Sequence, residues 1–310
     1  MIKFIVKRLL IMLPIIVGIS FLVFSIMNLT PGDPAVLALG PSATPDELFQ
    51  WREERGLNDD FFTRYGRFLF NVLQGDLGKS YRTNRMVADE VVERIPATMI
   101  LATGATILMV AIGIPIGILS AVKQYSIIDT ISVFSALLLT SMPAFWLGLL
   151  LMLVFSLHLN WLPATGTDSW INYILPCITL AAAVMAGLLR MTRSSMLEVI
   201  RQDYIRTARA KGANERQVIF KHALRNALLP IITVVGLNYA GMFGGALITE
   251  TVFAIPGIGT LLVNSVRMKD TPVVMVCVIL IATIIGLMNL VVDILYVYID
   301  PRLKTQFVKT

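Results

Sequence analysis

Charge, cysteine and histidine are all scarce in this chain of 310 residues, and each shortage closes off a class of function. Only 15% of the residues are charged while 56% are apolar, and the mean hydropathy is +0.76, the balance of a polytopic membrane protein rather than a globular enzyme. The two cysteines, Cys177 and Cys277, both sit in apolar runs, which excludes a disulfide framework and leaves no metal-ligand spacing. His158 and His222 stand far apart without Cys, Asp or Glu at ligand intervals, so no metal site is expected. No Ser/His/Asp or Cys/His constellation, His-Glu-x-x-His helix or pair of acids within an apolar run is present, so no catalytic residue is named. The formal charge of +6 then bears on membrane topology and does not point to nucleic acid.

What is abundant is long apolar sequence. Six runs, approximately 9–29, 98–122, 130–158, 173–191, 229–253 and 273–299, are long enough for helices that cross a bilayer, which takes roughly 20 residues. The first follows Lys3, Lys7 and Arg8 like a signal peptide, but its core is too long and Ser25–Thr30 offers no small-x-small cleavage site, so it reads as a retained anchor over 1–29. Lys and Arg concentrate before the first run, at Lys123, in the 191–229 loop and in the tail at Arg302, Lys304 and Lys309, whereas 159–172 has none. The positive-inside rule therefore places both termini in the cytoplasm. Trp161 and Trp170 fall where an outer aromatic belt is expected. Segment 30–97 carries eight basic residues against eleven acids and reads as a small extracytoplasmic cap, with amphipathic helices around 46–56, 59–73 and 86–95.

One block stands out against this background. Met191–Pro230 carries Arg193, Arg201, Arg206, Arg209, Lys211, Arg216, Lys221 and Arg225. A single Lys or Arg at the bilayer centre costs about 2.5–3.5 kcal/mol on insertion scales, so the block is expected to protrude. Within it Asp203 reads as an N-cap, Tyr204–Lys211 as a short helix with cations in its last turn, and Gly212 as its stop. Asn214 with Gln217 resembles a capping box opening a second short helix.

Other features are weaker. Gly75-Asp76-Leu77-Gly78-Lys79-Ser80 ends like a phosphate-binding loop, but two residues separate its glycines where four are needed to wrap phosphates, so it reads as a turn. Gly113–Gly117 and Gly241–Gly245 have the spacing that lets membrane helices approach closely, and ordinary packing within the chain is the expected use. Pro115, Pro143 and Pro176 are expected to kink their spans. Polar residues in the runs are few: Thr140, Ser141, Asn238, Glu250 and Asp293 are the pore or gate candidates, the two acids being placed close enough to an interface to be solvated.

With these residues in view, the chain resembles the membrane subunits of bacterial ATP-binding-cassette importers, of the dipeptide/oligopeptide/nickel permease family. The likeness runs from Lys7-Arg8-Leu9 through Pro31-Gly32-Asp33-Pro34, Gly75-Asp76-Leu77-Gly78 and Trp161-Leu162-Pro163 to Glu250-Thr251-Val252-Phe253 and Pro256-Gly257-Ile258-Gly259. It is strongest at Asp203–Gly212 and His222–Ala227. Importer permeases share a cytoplasmic Glu-Ala-Ala, three residues, Gly, nine residues, Ile-x-Leu-Pro motif. Aligned on Gly212, only Ala208, Gly212 and Leu224 match it, the departures being those of the peptide-type branch.

The resemblance implies an all-α membrane protein of the type I importer permease fold, with six transmembrane helices and an extracytoplasmic loop domain after the first. It divides the chain into an anchor (1–29), a cap (30–97), a transmembrane domain (98–300, with a coupling region at 192–228) and a cytoplasmic tail (301–310). Asp203, Arg206, Thr207, Ala208, Arg209, Gly212, His222 and Leu224 are then the coupling residues that meet an ATPase. The implied partners are a second homologous permease, two cytoplasmic ATPase subunits that bind ATP and Mg²⁺, an extracytoplasmic solute-binding protein and membrane lipid, in the bacterial inner membrane. This chain itself would hold no cofactor. The implied activity is import of di- or oligopeptides, with glutathione, a nickel chelate or another small solute as alternative cargo. A passive channel or an intramembrane enzyme is the competing class.

Overall fold

The computed structural model describes residues Ile2–Ile299, with side chains from Lys3 to Leu295. The expected tail at 301–310, with Arg302, Lys304 and Lys309, lies outside the described residues. The described chain is helical, with one isolated β-bridge between Lys79 and Met86. In chain order the helices are α1 (Ile2–Leu29), α2 (Pro34–Leu39), α3 (Pro45–Glu54), α4 (Phe61–Leu73), α5 (Val87–Val122), α6 (Ile127–Ser141), α7 (Ala144–Leu151), α8 (Ile174–Ile200), α9 (Asp203–Ala210), α10 (Glu215–Gln217), α11 (Arg225–Val252), α12 (Ile258–Arg267) and α13 (Thr271–Ile299). Two π-helical stretches, Met152–His158 and Val218–Leu224, continue α7 and join α10 to α11. Among the described residues five continuous helical stretches are long and apolar enough to span a membrane, and the pair α6 and α7, with its π extension, makes a sixth if counted as one broken span.

The chain packs as two units. One comprises residues 2–98 with 256–286. Its short helices begin on sequence-encoded caps: Asp33 accepts the Ala35 N–H before Pro34, Thr44 and Glu47 form a reciprocal capping box before Pro45, and Asp60 accepts from Phe62 and Thr63. Phe24, Tyr65 and Met275 form one buried apolar cluster and Val87, Val91, Ile258, Val273 and Cys277 another. The Thr98 hydroxyl accepts the Ile258 N–H at 2.8 Å, satisfying a backbone donor at the start of α12. Gly75 and Gly78, with φ of 82° and 76°, shape the turn expected there, and Gly78 N–H donates to Asp76 Oδ1 at 2.9 Å.

The other unit comprises Met99–Ile255 and the last helix from Leu287. Here α8 packs against α6, α7 and α11. Half of its most apolar window is buried inside the chain, against 11% for α1. α5 lies close to α8 because Gly117 has no side chain: a Cβ there would stand 2.8 Å from the Leu189 carbonyl and 2.7 Å from Thr192 Cβ. Gly113 meets Met185 and Leu188 in the same way. Gly241, Gly244 and Gly245 differ, since nothing of this chain lies within 4 Å of where their Cβ atoms would be. Packing within the chain, expected for both glycine pairs, therefore holds for the first and not for the second.

Four boundaries depart from the sequence expectation, each for a local reason. The run at 130–158 does not cross as one helix: it turns through 104° between α6 and α7. Pro143 drives Met142 out of the helical region, to φ −85° and ψ 126°, and the chain restarts in a new direction. Pro176 breaks nothing, because it sits in the first turn of α8, where its missing N–H has no intrahelical partner to lose. α8 continues to Ile200, so the first part of the basic loop is helix. The expected second short helix is not separate, since α10, the π turn and α11 form one stretch, Glu215–Val252.

Candidate functional site

The basic block resolves into charges with different fates. Arg193, on α8, donates from Nε and Nη2 to Asp129 Oδ1 and Oδ2 at 2.7 and 2.8 Å. Asp129 also accepts the Ser120 hydroxyl at 2.5 Å and the Tyr125 N–H at 2.9 Å, and its side chain is 5% exposed. This fork-to-carboxylate pair ties α5, α6 and α8 together. Arg193 is therefore an internal strut and not one of the protruding cations.

The next element, α9, is anchored by one residue. Ile205 is fully buried while Asp203, Tyr204, Arg206, Thr207 and Arg209 are exposed. Asp203 is not the N-cap: Gln202 holds the extended cap conformation and Asp203 takes the first helical position, where its carboxylate still faces the positive end of the helix. Gly212 ends the turn with φ of +83°, donating its N–H to Arg209 O at 2.9 Å, and Ala213 N–H reaches Ala208 O. Arg209 Nε bonds Glu215 Oε1 at 2.7 Å. That guanidinium holds the Glu215 carboxyl below its ordinary range, and the carboxylate raises Arg209 in turn. Asn214 Oδ1 accepts the Gln217 N–H at 2.8 Å, supplying the cap expected before α10.

Of the other coupling candidates, Ala208 is half-buried on α9, and His222 and Leu224 are half-buried in the π turn against which α9 packs. Asn226, at the start of α11, is a residue that the sequence did not single out for this patch, and its Nδ2 donates to the His222 carbonyl at 2.7 Å. The coupling candidates thus share one patch built on Ile205 and the π turn.

The pore candidates are spread over three helices. Thr140 and Ser141 are exposed at the end of α6 and return their hydroxyl protons to carbonyls of their own helix, at Ala136 and Leu137. Asn238, half-buried on α11, donates to the Val234 carbonyl at 2.8 Å. Asp293 is half-buried on α13. Glu250 corrects the expectation of a solvated acid: it is fully buried within its unit. The charge the sequence reading passed over is Arg190 on α8, whose Nη1 stands 3.4 Å from Thr140 Oγ1.

Comparison with known proteins places these features in context. Residues 113–305 match the family model of the binding-protein-dependent transport system inner membrane component, and residues 1–102 match the model of the N-terminal region of such membrane components. The dipeptide transport system permease protein of Alkalihalophilus pseudofirmus is 42% identical over 98% of this chain and its own full length. The oligopeptide transport system permease protein of Bacillus subtilis is likewise 42% identical, over 98% of this chain and all of its own. The glutathione transport system permease protein of Escherichia coli is 42% identical over 98% of this chain and 99% of its own. A solved structure of the MetNI methionine ABC transporter, in an inward-facing conformation, aligns with TM-score 0.53 at 19% identity, covering 68% of this chain and 96% of its own. At that identity the likeness concerns the fold.

Proposed function

Since this chain belongs to the family of binding-protein-dependent transport system inner membrane components, we propose that it is the permease subunit of an ATP-driven importer of di- and oligopeptides. The observation that carries the coupling part is α9: a helix outside the apolar spans, whose one fully buried side chain is Ile205, with its charged residues exposed. In this reading α9 seats in a groove of a cytoplasmic ATPase, and Arg206 and Arg209 meet acids there. ATP and Mg²⁺ are held by two such ATPase subunits, not by this chain. A solute-binding protein delivers cargo to the outer face, and a second permease completes the pore. The open face at Gly241 and Gly245 on α11 leaves room for a neighbouring helix backbone. ATP binding and hydrolysis shift the assembly between inward- and outward-facing states, because the ATPases bind the two states differently.

Peptide cargo rests on the relatives, whose names cover dipeptides, oligopeptides and glutathione. Nucleotide-dependent uptake of a labelled dipeptide series by the reconstituted complex, with glutathione as competitor, tests it; transport of glutathione or a metal chelate without any dipeptide overturns the peptide reading and leaves the importer intact. Orientation is tested by single cysteines at Asn84, Thr167 and Asn214 in intact cells. An impermeant thiol reagent is expected to label the first two, and labelling at Asn214 from outside would remove α9 from the cytoplasm and end its coupling role.

A further inference from the structure

α8 carries two arginines one turn apart, and the chain treats them differently. Arg193 is neutralised by the buried Asp129. Arg190 lies in the same apolar candidate span, half-exposed, and among the described residues no carboxylate stands within ion-pair distance of it. Its described polar contact is the 3.4 Å approach of Nη1 to Thr140 Oγ1, at the upper limit of a hydrogen bond. Arg190 closes the apolar run 173–191, and α8 continues beyond it for about 15 Å, to Ile200.

A cation in a membrane span that the protein does not pair has to meet water or an anionic ligand, since lipid is the costly alternative. The surroundings of Arg190 suit a ligand. It stands beside the 104° break, where α6 ends and the backbone at Met142 is extended, and irregular backbone at membrane depth is tolerated where it lines protein or a water-filled cavity. Thr140 directs its hydroxyl proton back to its own helix, so its oxygen accepts from Arg190 Nη1 and orients the guanidinium, whose other donors have no acceptor among the described residues. If the arginine served only to compensate the negative end of α6, it would bond the terminal carbonyls; its described bond is to a hydroxyl instead. A guanidinium's five fixed donors match a planar carboxylate.

Resting on the peptide reading above, we infer that Arg190 is the station at which the α-carboxylate of the passing peptide is bound, with Thr140 and Ser141 as its neutral polar neighbours. Arg190 then discriminates cargo by its C-terminal charge, while Arg193, one turn on, is structural.

The test uses the assembled complex with its ATPases and binding protein in proteoliposomes. Uptake of alanyl-alanine is compared with that of its C-terminal amide. In Arg190→Gln, acid uptake is expected to fall about tenfold, equivalent to about 1.4 kcal/mol, with amide uptake within about twofold of wild type. Arg190→Lys keeps the charge without the fork and is expected to recover part of the acid preference, which also covers the case of a Gln variant that fails to assemble. An acid-to-amide ratio unchanged in both variants overturns the site, as does an equal fall for both substrates. Wild-type complex that moves neither substrate overturns the peptide reading and the site together.

Discussion

Segment 30–97 with its surroundings and α9 are both polar and both lie outside the long apolar runs, yet charge is handled in opposite ways at the two. At residues 269 and 270, against which the cap segment packs, charge is buried and saturated. Asp270, 2% exposed, accepts the Ser80 hydroxyl at 2.5 Å and the Tyr81 and Arg82 N–H groups at 3.0 and 3.4 Å. Its neighbour Lys269, buried and with φ of +55°, donates to the carbonyls of Met27 and Thr30 at the end of α1. These charges satisfy backbone groups that turns and helix ends leave unpaired, and so fix the register between segments 188 to 242 residues apart. On α9 the pair Asp203–Arg206 is 3.7 Å apart with side chains 96% and 74% exposed, and Arg209 reaches only as far as Glu215 on the same surface. Water already solvates these groups, so they fix little within the chain and remain free to be read by another protein. Buried charge specifies the fold here, and on the reading proposed above the exposed charge of α9 serves recognition.

That contrast predicts a graded series of effects. The largest belongs to Asp129→Ala, which leaves Arg193 and two further donors without their acceptor and is expected to destabilise by about 3–5 kcal/mol. Thermal unfolding of the detergent-solubilised complex measures it, and a midpoint equal to wild type would remove the pair from the structural set. Asp270→Ala comes next, at about 2–3 kcal/mol, because three donors lose a buried acceptor. Its signature is proteolytic sensitivity of segment 30–97; unchanged cleavage would show that the apolar clusters alone hold the cap. Gly212→Val meets no steric obstacle, since nothing lies within 4 Å, so its cost is the left-handed backbone alone, about 1–2 kcal/mol. The chain should insert normally and lose nucleotide-driven uptake, and uptake at the wild-type rate would show that the shape of this turn is immaterial to coupling. The smallest effect on stability belongs to Arg209→Ala, within about 0.5 kcal/mol because its partner is solvated. Uptake is nevertheless expected to fall severalfold, and equal insensitivity of stability and uptake would take Arg209 out of the contact surface.

The sequence showed clearly what depends on long runs and on single conformationally special residues. The apolar stretches, the cap at Asn214 and the stop at Gly212 are of that kind, because each rests on local chemistry. What escaped depends on partners distant in sequence or on geometry to which hydropathy is blind. Asp129 stands just ahead of the run expected to begin at 130, and Arg193 was counted among loop cations, so nothing local announced that they meet across 64 residues. The break at Met142–Pro143 lies in sequence that is apolar on both sides, where a kinked helix and a helix turned through 104° read alike. Arg190 was hidden by position, as the last charge before the basic block. The burial of Glu250 is set by helices that surround it only after the chain has folded.

The π turn at Val218–Leu224 makes counting residues a form of steering. A helix advances about 100° per residue, and a wide turn stores an extra residue without lengthening the helix by its full share. Every side chain of α11 beyond Leu224 therefore points where it does because that residue is accommodated within the turn. Deleting one residue from this stretch would restore ordinary winding and dial Asn238, Gly241 and Glu250 together around the helix axis, although not one of those residues had been changed. In this span length is a phase setting, and a gap in the sequence acts on direction before it acts on reach.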